Sequence, residues 1–372
     1  EPENELSYMA HVVDMIQNIR KTKPKKLVVP LFRVFMHEDA ITESHKVLRS
    51  GHIAQGSVNE IFEKKLVNHL ANKNIVTVNS GTSALHLAFD LIKEAEKLDE
   101  SCEVICSPLT CAAGLLPIVS NGLSIKWCDI ESSNFNIDLN KVVKLLNENT
   151  RILSFVHWGG YPIDYQRLEE IKKGYLLKYG KPLYVVEDCA HAWGSTWNGS
   201  YVGNVLKDQY TFSCFSFQAR SGQPIKDLGF KFHMNDISSA IGIGNMPYVR
   251  DCIEQNREHA HTYYENLQDL RYVTLPENKF GFDSSYWLFT IKALYRDELK
   301  KYLLDRGVQT NVVHSRNDKH PVFKKYSTKR KLSVMNEVSR EMLCLPVGWW
   351  MTPHRIRKVV TKIKEFYVGR ES

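Results

Sequence analysis

The sequence lacks the features that mark membrane, secreted and fibrous proteins. No apolar run approaches the roughly 18 residues of a membrane-spanning helix, and the start, Glu1, Pro2 and Glu3, is no signal peptide. Internal repeats and low-complexity segments are also missing. The net charge is small, because 49 Lys and Arg against 42 Asp and Glu give +7 on 372 residues. We therefore expect a globular protein of about two domains with no membrane partner.

Paired cysteines are missing too. The eight cysteines form no CxxC pair, and several stand in apolar, strand-like runs; they are Cys102, Cys106, Cys111, Cys128, Cys189, Cys214, Cys252 and Cys344. This pattern indicates buried, reduced thiols and not a disulfide framework or a zinc site. We predict a cytoplasmic protein.

Strands and helices alternate through the first part of the chain. Short apolar or β-branched runs predict strands at Ile75–Val78, Glu103–Ser107, Ser124–Cys128, Ile152–His157 and Leu183–Glu187. Helical patterns stand between them at Ser83–Ala95, Asp138–Asn147 and Tyr165–Tyr179. Such alternation predicts a mostly parallel sheet with helices on both faces. Because ligands bind at the carboxyl ends of parallel strands, the loops that follow these strands are the candidate site.

The rest of the chain divides into an arm and a second domain. A short amphipathic helix at Tyr8–Ile19 precedes the basic run Arg20–Lys26, which lacks the interleaved aromatic residues expected of nucleic-acid binding. A long helix at Val249–Leu270 leads into the order strand, helix, strand, helix, with the middle pair at Asp297–Arg306 and Val308–Val313. The predicted pieces are an N-terminal arm (1–26), a large domain (27–248), and a linking helix with a small α+β domain (249–372).

Small residues open the first helix of the alternating region, where Gly81, Thr82 and Ser83 follow the strand at Ile75–Val78. Free backbone N–H groups and the positive end of the helix dipole favour a phosphate there. The hydroxyls of Thr82 and Ser83 add two donors. An ordinary serine or threonine helix cap explains the same residues, so the run alone predicts either a cap or a phosphate site.

An acidic pair, Glu187 and Asp188, ends an apolar strand, and His191 follows. A carboxylate at this edge suits a protonated pyridine-type nitrogen or a metal ion, and the alternative is a carboxylate that caps the next loop. We expect no metal, because no second His and Asp cluster at ligand spacing lies nearby. Ser216, in a later aromatic strand, is another candidate phosphate donor.

Taken in this order, these stretches resemble the DegT/DnrJ/EryC1/StrS family of sugar aminotransferases. The likeness extends from Val29–Leu31 through Gly229–Ile237 to Leu345–Thr352. It implies an α/β fold of the pyridoxal-phosphate (PLP) type I class, with a large domain and a smaller C-terminal domain. It also implies a homodimer that moves an amino group, usually from glutamate, to a nucleotide-linked keto-sugar, with the cofactor cycling between PLP and its aminated form, PMP.

The resemblance assigns roles to individual residues. The implied cofactor-binding residues are Gly81, Thr82, Ser83, Asp188, His191 and Ser216, with Asp188 facing the ring nitrogen. Candidates that reach the phosphate of the neighbouring subunit are Lys231, His233 and Asn235. His314 and Arg316 are implied contacts of the sugar nucleotide, and the Arg316 guanidinium suits a diphosphate.

Two positions depart from the family pattern. Thr110 is followed by Cys111, where the family usually has an aromatic residue that stacks on the cofactor. The family's catalytic lysine, expected five residues after Ser216, is replaced by Ser221, so no catalytic residue is assigned.

The spacing around Ser221 offers an explanation. Only 17 positions separate Phe217 from Met234, whereas the family has a few dozen residues there, and Lys226 and Lys231 stand at the wrong spacing. We interpret this as a lysine-bearing segment absent between Ala219 and Arg220. A true deletion is the competing explanation. A true deletion would leave a non-catalytic PLP-binding sensor. A PMP-dependent sugar dehydratase is a further alternative function.

Overall fold

The computed structural model describes residues 29–216, 232–328 and 330–370. Its α-helices are α1 (Glu38–Ser50), α2 (Ser57–Leu70), α3 (Gly81–Glu96), α4 (Ala112–Ser120), α5 (Leu139–Leu145), α6 (Tyr165–Tyr179), α7 (Asp236–Asn245), α8 (Val249–Leu267), α9 (Arg296–Asp305), α10 (Ser333–Glu341) and α11 (Pro353–Val368). Its strands are β1 (Glu103–Cys106), β2 (Ser124–Trp127), β3 (Thr150–Val156), β4 (Tyr184–Asp188), β5 (Thr196–Trp197), β6 (Ser200–Tyr201), β7 (Thr211–Cys214), β8 (Val273–Thr274), β9 (Phe282–Asp283), β10 (Phe289–Ala293) and β11 (Met342–Leu345).

The large sheet has the strand order β2-β1-β3-β4-β7, and each neighbouring pair is parallel. Its central strands are apolar and buried, as strands covered on both faces must be. The carboxyl ends of β4 and β7 therefore lie at one edge, where Asp188 pairs in register with Cys214. The predicted parallel sheet is confirmed.

One predicted strand of this region is wrong. Residues Ile75–Val78 are not part of the sheet, and only Val78 forms a bridge, antiparallel to His233. A strand exists only where a neighbouring backbone completes its hydrogen bonds, and among the described residues this run has a single bridge partner. The apolar composition of this run predicted a strand but could not supply a pairing partner.

A second, antiparallel sheet has the order β11-β10-β8. Helices α8, α9 and α11 pack on it around Phe289, Ile291 and Leu343, which are fully buried. Val29 joins this core through a parallel bridge to Val308. The strand predicted at Val308–Val313 is also wrong, because the described chain forms only isolated bridges there, at Val308 and Asn311.

Some predictions fall outside the described residues. These are the N-terminal arm with its helix at Tyr8–Ile19 and its basic run, and the stretch 217–231, which contains Ala219, Arg220, Ser221, Lys226 and Lys231. Within the described ranges, none of the helices combines the length and the apolar character that a bilayer crossing requires.

Candidate active site

Gly81 and Ser216 meet at the carboxyl edge of the large sheet. Gly81 is the first residue of α3, and a Cβ atom built on it would lie 2.7 Å from the Cβ of Ser216. Only glycine permits this approach without displacing Ser216. The structure therefore brings together two predicted phosphate contacts that are 135 positions apart, beside the positive end of a helix dipole.

The neighbouring hydroxyls form the helix cap. Ser80 accepts a hydrogen bond from the backbone N–H of Ser83 at 3.1 Å. The hydroxyl of Ser83 donates to the side-chain oxygen of Asn79 at 2.6 Å, whereas Thr82 is exposed. In this structure Ser83 serves the helix N-terminus, which leaves Gly81 and Thr82 as the outward-facing members of the run.

Asp188 is a buried carboxylate at the end of β4. One oxygen accepts a hydrogen bond from the backbone N–H of Ala190 at 3.0 Å. The other lies 3.3 Å from the position of a Cβ atom built on Gly114, so α4 covers the carboxyl group closely. Burial raises the pKa of Asp188 to about 6. Within the described ranges Asp188 forms no ion pair, so a cationic ring nitrogen suits this position.

Glu187, the preceding residue of β4, lies in a hydrogen-bond network. The backbone N–H of Ile163 donates to Nδ1 of His157, so Nε2 of His157 carries the proton and donates to Glu187 at 3.0 Å. Glu187 also accepts from Tyr165 at 2.6 Å and from Ser213 at 3.0 Å. Potential metal-ligand atoms of His157, Glu187 and Cys189 lie within 4.8 Å of one another, and this network accounts for their proximity.

His191 lies in an aromatic stack. Its ring is 3.9 Å from that of Trp287 with an angle of 13° between the planes. The backbone N–H of Gly159 donates to Nδ1 at 3.4 Å, which places the ring proton on Nε2. Burial lowers the pKa of His191 well below its usual value. His191 is therefore a neutral side chain with a fixed hydrogen-bond donor.

His314, from the C-terminal part of the chain, joins this group. Its ring is parallel to that of His191, with centroids 5.6 Å apart. Trp158, which follows β3, contacts both histidines edge-on at 5.8 Å, and its indole N–H donates to Thr290 at 3.1 Å. A predicted cofactor contact and a predicted substrate contact thus share one aromatic cluster.

Arg316 is already engaged by protein side chains. Its Nε and Nη2 atoms donate to the two carboxylate oxygens of Asp318 at 2.8 and 2.7 Å, and Nη1 donates to Asn336 at 2.5 Å. Such a bidentate pair leaves N–H groups on both terminal nitrogens for a further anion. Arg316 is therefore held in one orientation, with part of its charge neutralised by Asp318.

Buried Asn317 attaches this loop to the sheet edge. Its side-chain amide donates to the backbone oxygens of Pro108 and Thr110, at 3.0 and 2.7 Å. Thr110 lies after β1, directly before the position where the aromatic residue of the family is missing. Asn317 thus connects the predicted substrate loop to the predicted cofactor loop.

Two of the three candidates for the partner subunit's phosphate, His233 and Asn235, lie within the described residues. His233 is exposed and pairs with Val78, and Asn235 is the N-cap of α7, accepting from the backbone N–H of Ser238 at 2.8 Å. Lys231 lies outside the described residues. Where the partner subunit would meet these residues stays a prediction.

Sequence reasoning missed Trp158, Trp287, Asn317 and Gly114. Trp158 stands directly after a predicted strand, so the rule that sites follow strand ends could have selected it. Nothing in the local sequence marks Trp287, Asn317 or Gly114, because the residues that they contact are far away along the chain.

These residues fit a group with an anionic phosphate and a protonated ring nitrogen. Gly81 and Ser216 form a close-packed cradle at a helix N-terminus, and Asp188 offers a buried carboxylate with a raised pKa. The donor of His191 lies in the loop that follows Asp188. This combination holds a planar ligand with opposite charges at its two ends.

Comparison with known proteins agrees with this geometry. A sugar aminotransferase, CalS13 from Micromonospora echinospora, superposes with a TM-score of 0.82 and 29% identity, covering 91% of this chain and 100% of that structure. The dTDP-3-amino-3,6-dideoxy-alpha-D-galactopyranose transaminase of Aneurinibacillus thermoaerophilus is 25% identical over 87% of this chain and 93% of its own length.

The GDP-perosamine synthase of Escherichia coli O157:H7 is 26% identical over 348 aligned positions, which cover 84% of this chain and 91% of that protein. Since 84% of 372 residues is about 312, about 36 aligned positions lie opposite gaps in this chain.

A family profile matches most of the chain in two parts, residues 35–222 and 219–364. The two parts meet where Ser221 replaces the expected lysine. The fold and the matched residues confirm the resemblance and the fold type I class. The chain belongs to the DegT/DnrJ/EryC1/StrS aminotransferase family.

Proposed function

We propose that this protein is a PLP-dependent aminotransferase that converts a nucleotide-linked keto-sugar into an amino sugar. The observation that carries the proposal is Asp188, a buried carboxylate with a pKa of about 6 at the same sheet edge as the Gly81–Ser216 cradle. Bound PLP supplies an electron sink for moving an amino group. The family and the named activities of its relatives support this reaction class.

Each proposed contact has a distinct task. The cradle holds the cofactor phosphate at the N-terminus of α3. Asp188 keeps the ring nitrogen protonated, since a cation beside it replaces the hydration that its carboxylate lost on burial. The Nε2–H of His191 would donate a hydrogen bond to the ring oxygen of the cofactor, and the low pKa of His191 keeps its imidazole neutral.

The catalytic lysine needs a separate proposal. We infer that it lies in a segment between Ala219 and Arg220 that this 372-residue chain does not contain. The division of the family match at residues 219–222 supports this inference. Without that segment, the chain retains residues for holding the cofactor but lacks an assigned amine for proton transfer.

The nucleotide sugar would bind at the His314–Arg316 loop. The Arg316 guanidinium keeps N–H groups on both terminal nitrogens beside its contacts with Asp318 and Asn336, which suits a diphosphate. We propose glutamate as the amino donor, on the family resemblance alone.

Two further properties belong to the proposal. Exposed apolar side chains along residues 34–61 support a homodimer, because monomers seldom expose such groups together; they are Val34, Met36, Ile41, Leu48, Ile53 and Ile61. All eight cysteines are free, which supports a reducing, cytoplasmic location.

The test is turnover of a small panel of keto-sugar nucleotides with PLP and glutamate. We expect an amino sugar and 2-oxoglutarate in equal amounts from the protein that contains the additional segment. Loss of a sugar hydroxyl without amino transfer would identify a dehydratase. Stable PLP binding with neither reaction would favour a sensor, the function that Ser221 at the lysine position would suit.

A further inference from the structure

Glu187 and Asp188 are consecutive residues of β4, and their side chains lie on opposite faces of the large sheet. Successive side chains of a strand alternate between its two faces. Val186 packs in the core that includes residues of α4, whereas Val185 packs in the core that includes Tyr165 of α6. Asp188 therefore lies on the α4 side, and Glu187 lies behind it on the α6 side.

The Glu187 carboxylate connects three neighbouring strands. Its Oε1 accepts a hydrogen bond from the hydroxyl of Ser213 in β7 at 3.0 Å, and its Oε2 accepts from Nε2 of His157, directly after β3, at 3.0 Å. The hydroxyl of Tyr165, at the start of α6, also donates to Oε2, at 2.6 Å. One side chain of β4 thus joins the ends of the two strands that flank it. Glu187 and His157 are fully buried, so solvent does not replace these contacts.

Each of the three strand ends joined by Glu187 leads into a residue of the candidate site; these residues are Trp158 after β3, Asp188 at the end of β4 and Ser216 after β7. Backbone hydrogen bonds connect the same strand ends. The N–H of His157 donates to the carbonyl of Asp188 at 3.3 Å, and the N–H of Cys189 donates to the carbonyl of Cys214 at 2.7 Å. A displacement of Glu187 therefore moves backbone that carries the site.

We propose that Glu187 is a positioning residue, which holds the Asp188 carboxylate at the cofactor ring nitrogen by fixing the ends of β3, β4 and β7 from the opposite face of the sheet. A carboxylate suits this task, because its two oxygens accept hydrogen bonds in different directions, one toward each flanking strand. The inference rests on the part of the proposed function that makes Asp188 the partner of the ring nitrogen. It does not rest on turnover or on the catalytic lysine.

Two substitutions of Glu187 separate its hydrogen bonds from its charge. Glu187→Gln removes the charge but keeps the contacts, because the amide oxygen accepts from Tyr165 and His157 in place of Oε2. The amide N–H group then donates to Ser213, whose hydroxyl accepts as well as donates. Glu187→Leu has a similar volume but accepts no hydrogen bond, so the buried donors of Tyr165 and His157 lose their partner. A positioning role predicts that only Glu187→Leu disturbs the site.

The test is nitrogen NMR of ring-labelled PLP bound to the protein, together with PLP affinity from fluorescence titration. The chemical shift of the ring nitrogen distinguishes a protonated ring from a neutral one. We expect a protonated ring nitrogen and similar PLP affinity in the unsubstituted protein and in Glu187→Gln. In Glu187→Leu, PLP affinity should fall about tenfold or more, as expected for a displaced binding group, and the nitrogen signal should move toward that of the neutral ring.

A substitution elsewhere in the same core controls for loss of stability. Leu168 is fully buried on α6, in the core that contains Tyr165, and Leu168→Ala leaves a cavity without removing a hydrogen bond. It should lower the Tm while PLP affinity and the nitrogen signal stay unchanged. Tyr165→Phe and Ser213→Ala each remove a single donor to Glu187. Each should move both measurements in the direction of Glu187→Leu, by a smaller amount.

An unchanged nitrogen signal and unchanged PLP affinity in Glu187→Leu overturn the proposal. Equal losses in Glu187→Gln and Glu187→Leu also overturn it, because the charge of Glu187 would then matter and not its hydrogen bonds. If Glu187→Leu does not fold, unchanged values in both Tyr165→Phe and Ser213→Ala have the same meaning. A neutral ring nitrogen in the unsubstituted protein contradicts the role of Asp188 as well. A protonated ring nitrogen that none of these variants alters contradicts the positioning role alone.

Discussion

His191 and Trp287 stack face to face with ring centroids 3.9 Å apart, although 96 positions separate them. Ser285, two residues before Trp287, donates to the backbone carbonyl of His191 at 3.0 Å. Ring and backbone of His191 are therefore both held by the segment that leads into β10. This contact keeps water from the imidazole and fixes its plane.

Replacement of Trp287 tests this relationship. Trp287→Ala exposes one face of His191, so the pKa of His191 should rise toward its ordinary value, because the charged form regains solvent. An NMR titration of the histidine ring protons measures the change. Trp287→Phe retains an aromatic cover and should keep the pKa low. An unchanged pKa in Trp287→Ala would show that Trp287 does not cause the burial effect.

The stability of the cofactor-free protein should depend on Asp188. The pKa of Asp188 is about 6 in the folded protein against an ordinary 3.8. The folded state therefore holds a proton that the unfolded state releases, and the free energy of unfolding falls as pH rises through this window. Asp188→Asn removes this pH-dependent loss of stability, because an amide does not ionise. It should stabilise the protein by about 3 kcal/mol above pH 6 and by nothing below about pH 4.

Denaturant unfolding at several pH values measures this difference. Asp269→Asn, at an exposed position, controls for the change in net charge. The same Asp188→Asn variant should bind PLP weakly, because a neutral amide does not stabilise a ring cation. Equal stability gains at pH 4 and pH 8 would contradict the buried-carboxylate explanation.

The close contact between Gly81 and Ser216 predicts that the cradle does not tolerate a larger residue at position 81. Gly81→Ala puts a Cβ atom 2.7 Å from that of Ser216, so one of the two loops must move. We expect PLP affinity, measured by fluorescence titration, to fall about tenfold or more. Gly174→Ala is the matched control, because a Cβ atom there meets nothing within 4 Å. It should keep PLP affinity and gain up to about 1 kcal/mol of stability.

Replacing Arg316 and replacing Asp318 should have opposite effects on substrate binding. Arg316→Ala should raise KM for the nucleotide sugar about tenfold, as expected for a lost charged hydrogen bond, with kcat nearly unchanged. Asp318→Asn should lower KM, because the substrate diphosphate no longer competes with a carboxylate. Asn336→Ala removes a hydrogen bond without changing charge and should have the smaller effect. A rise in KM for Asp318→Asn would mean that Asp318 mainly orients Arg316.

Local sequence patterns were sufficient to predict the parallel sheet and to select candidate residues at its carboxyl edge. β4 is a continuous buried run that ends in Glu187 and Asp188, and α3 begins at a small-residue turn. Strand burial and helix capping depend on adjacent residues, so both are visible without a fold. Because parallel strands share one edge, the neighbourhood of Asp188 and Ser216 also followed from the order of elements.

The sequence by itself determined the family and the mostly parallel sheet, and it predicted Gly81, Asp188, His191 and Ser216 as residues of the site. Only the tertiary structure decided that Trp287 covers His191, that Asp318 holds Arg316, and that the run Ile75–Val78 forms a single bridge among the described residues. These outcomes depend on contacts between distant parts of the chain. Side-chain stacking, ion pairing and strand pairing each need a partner that is close in space. A local sequence pattern does not specify which residue that partner is.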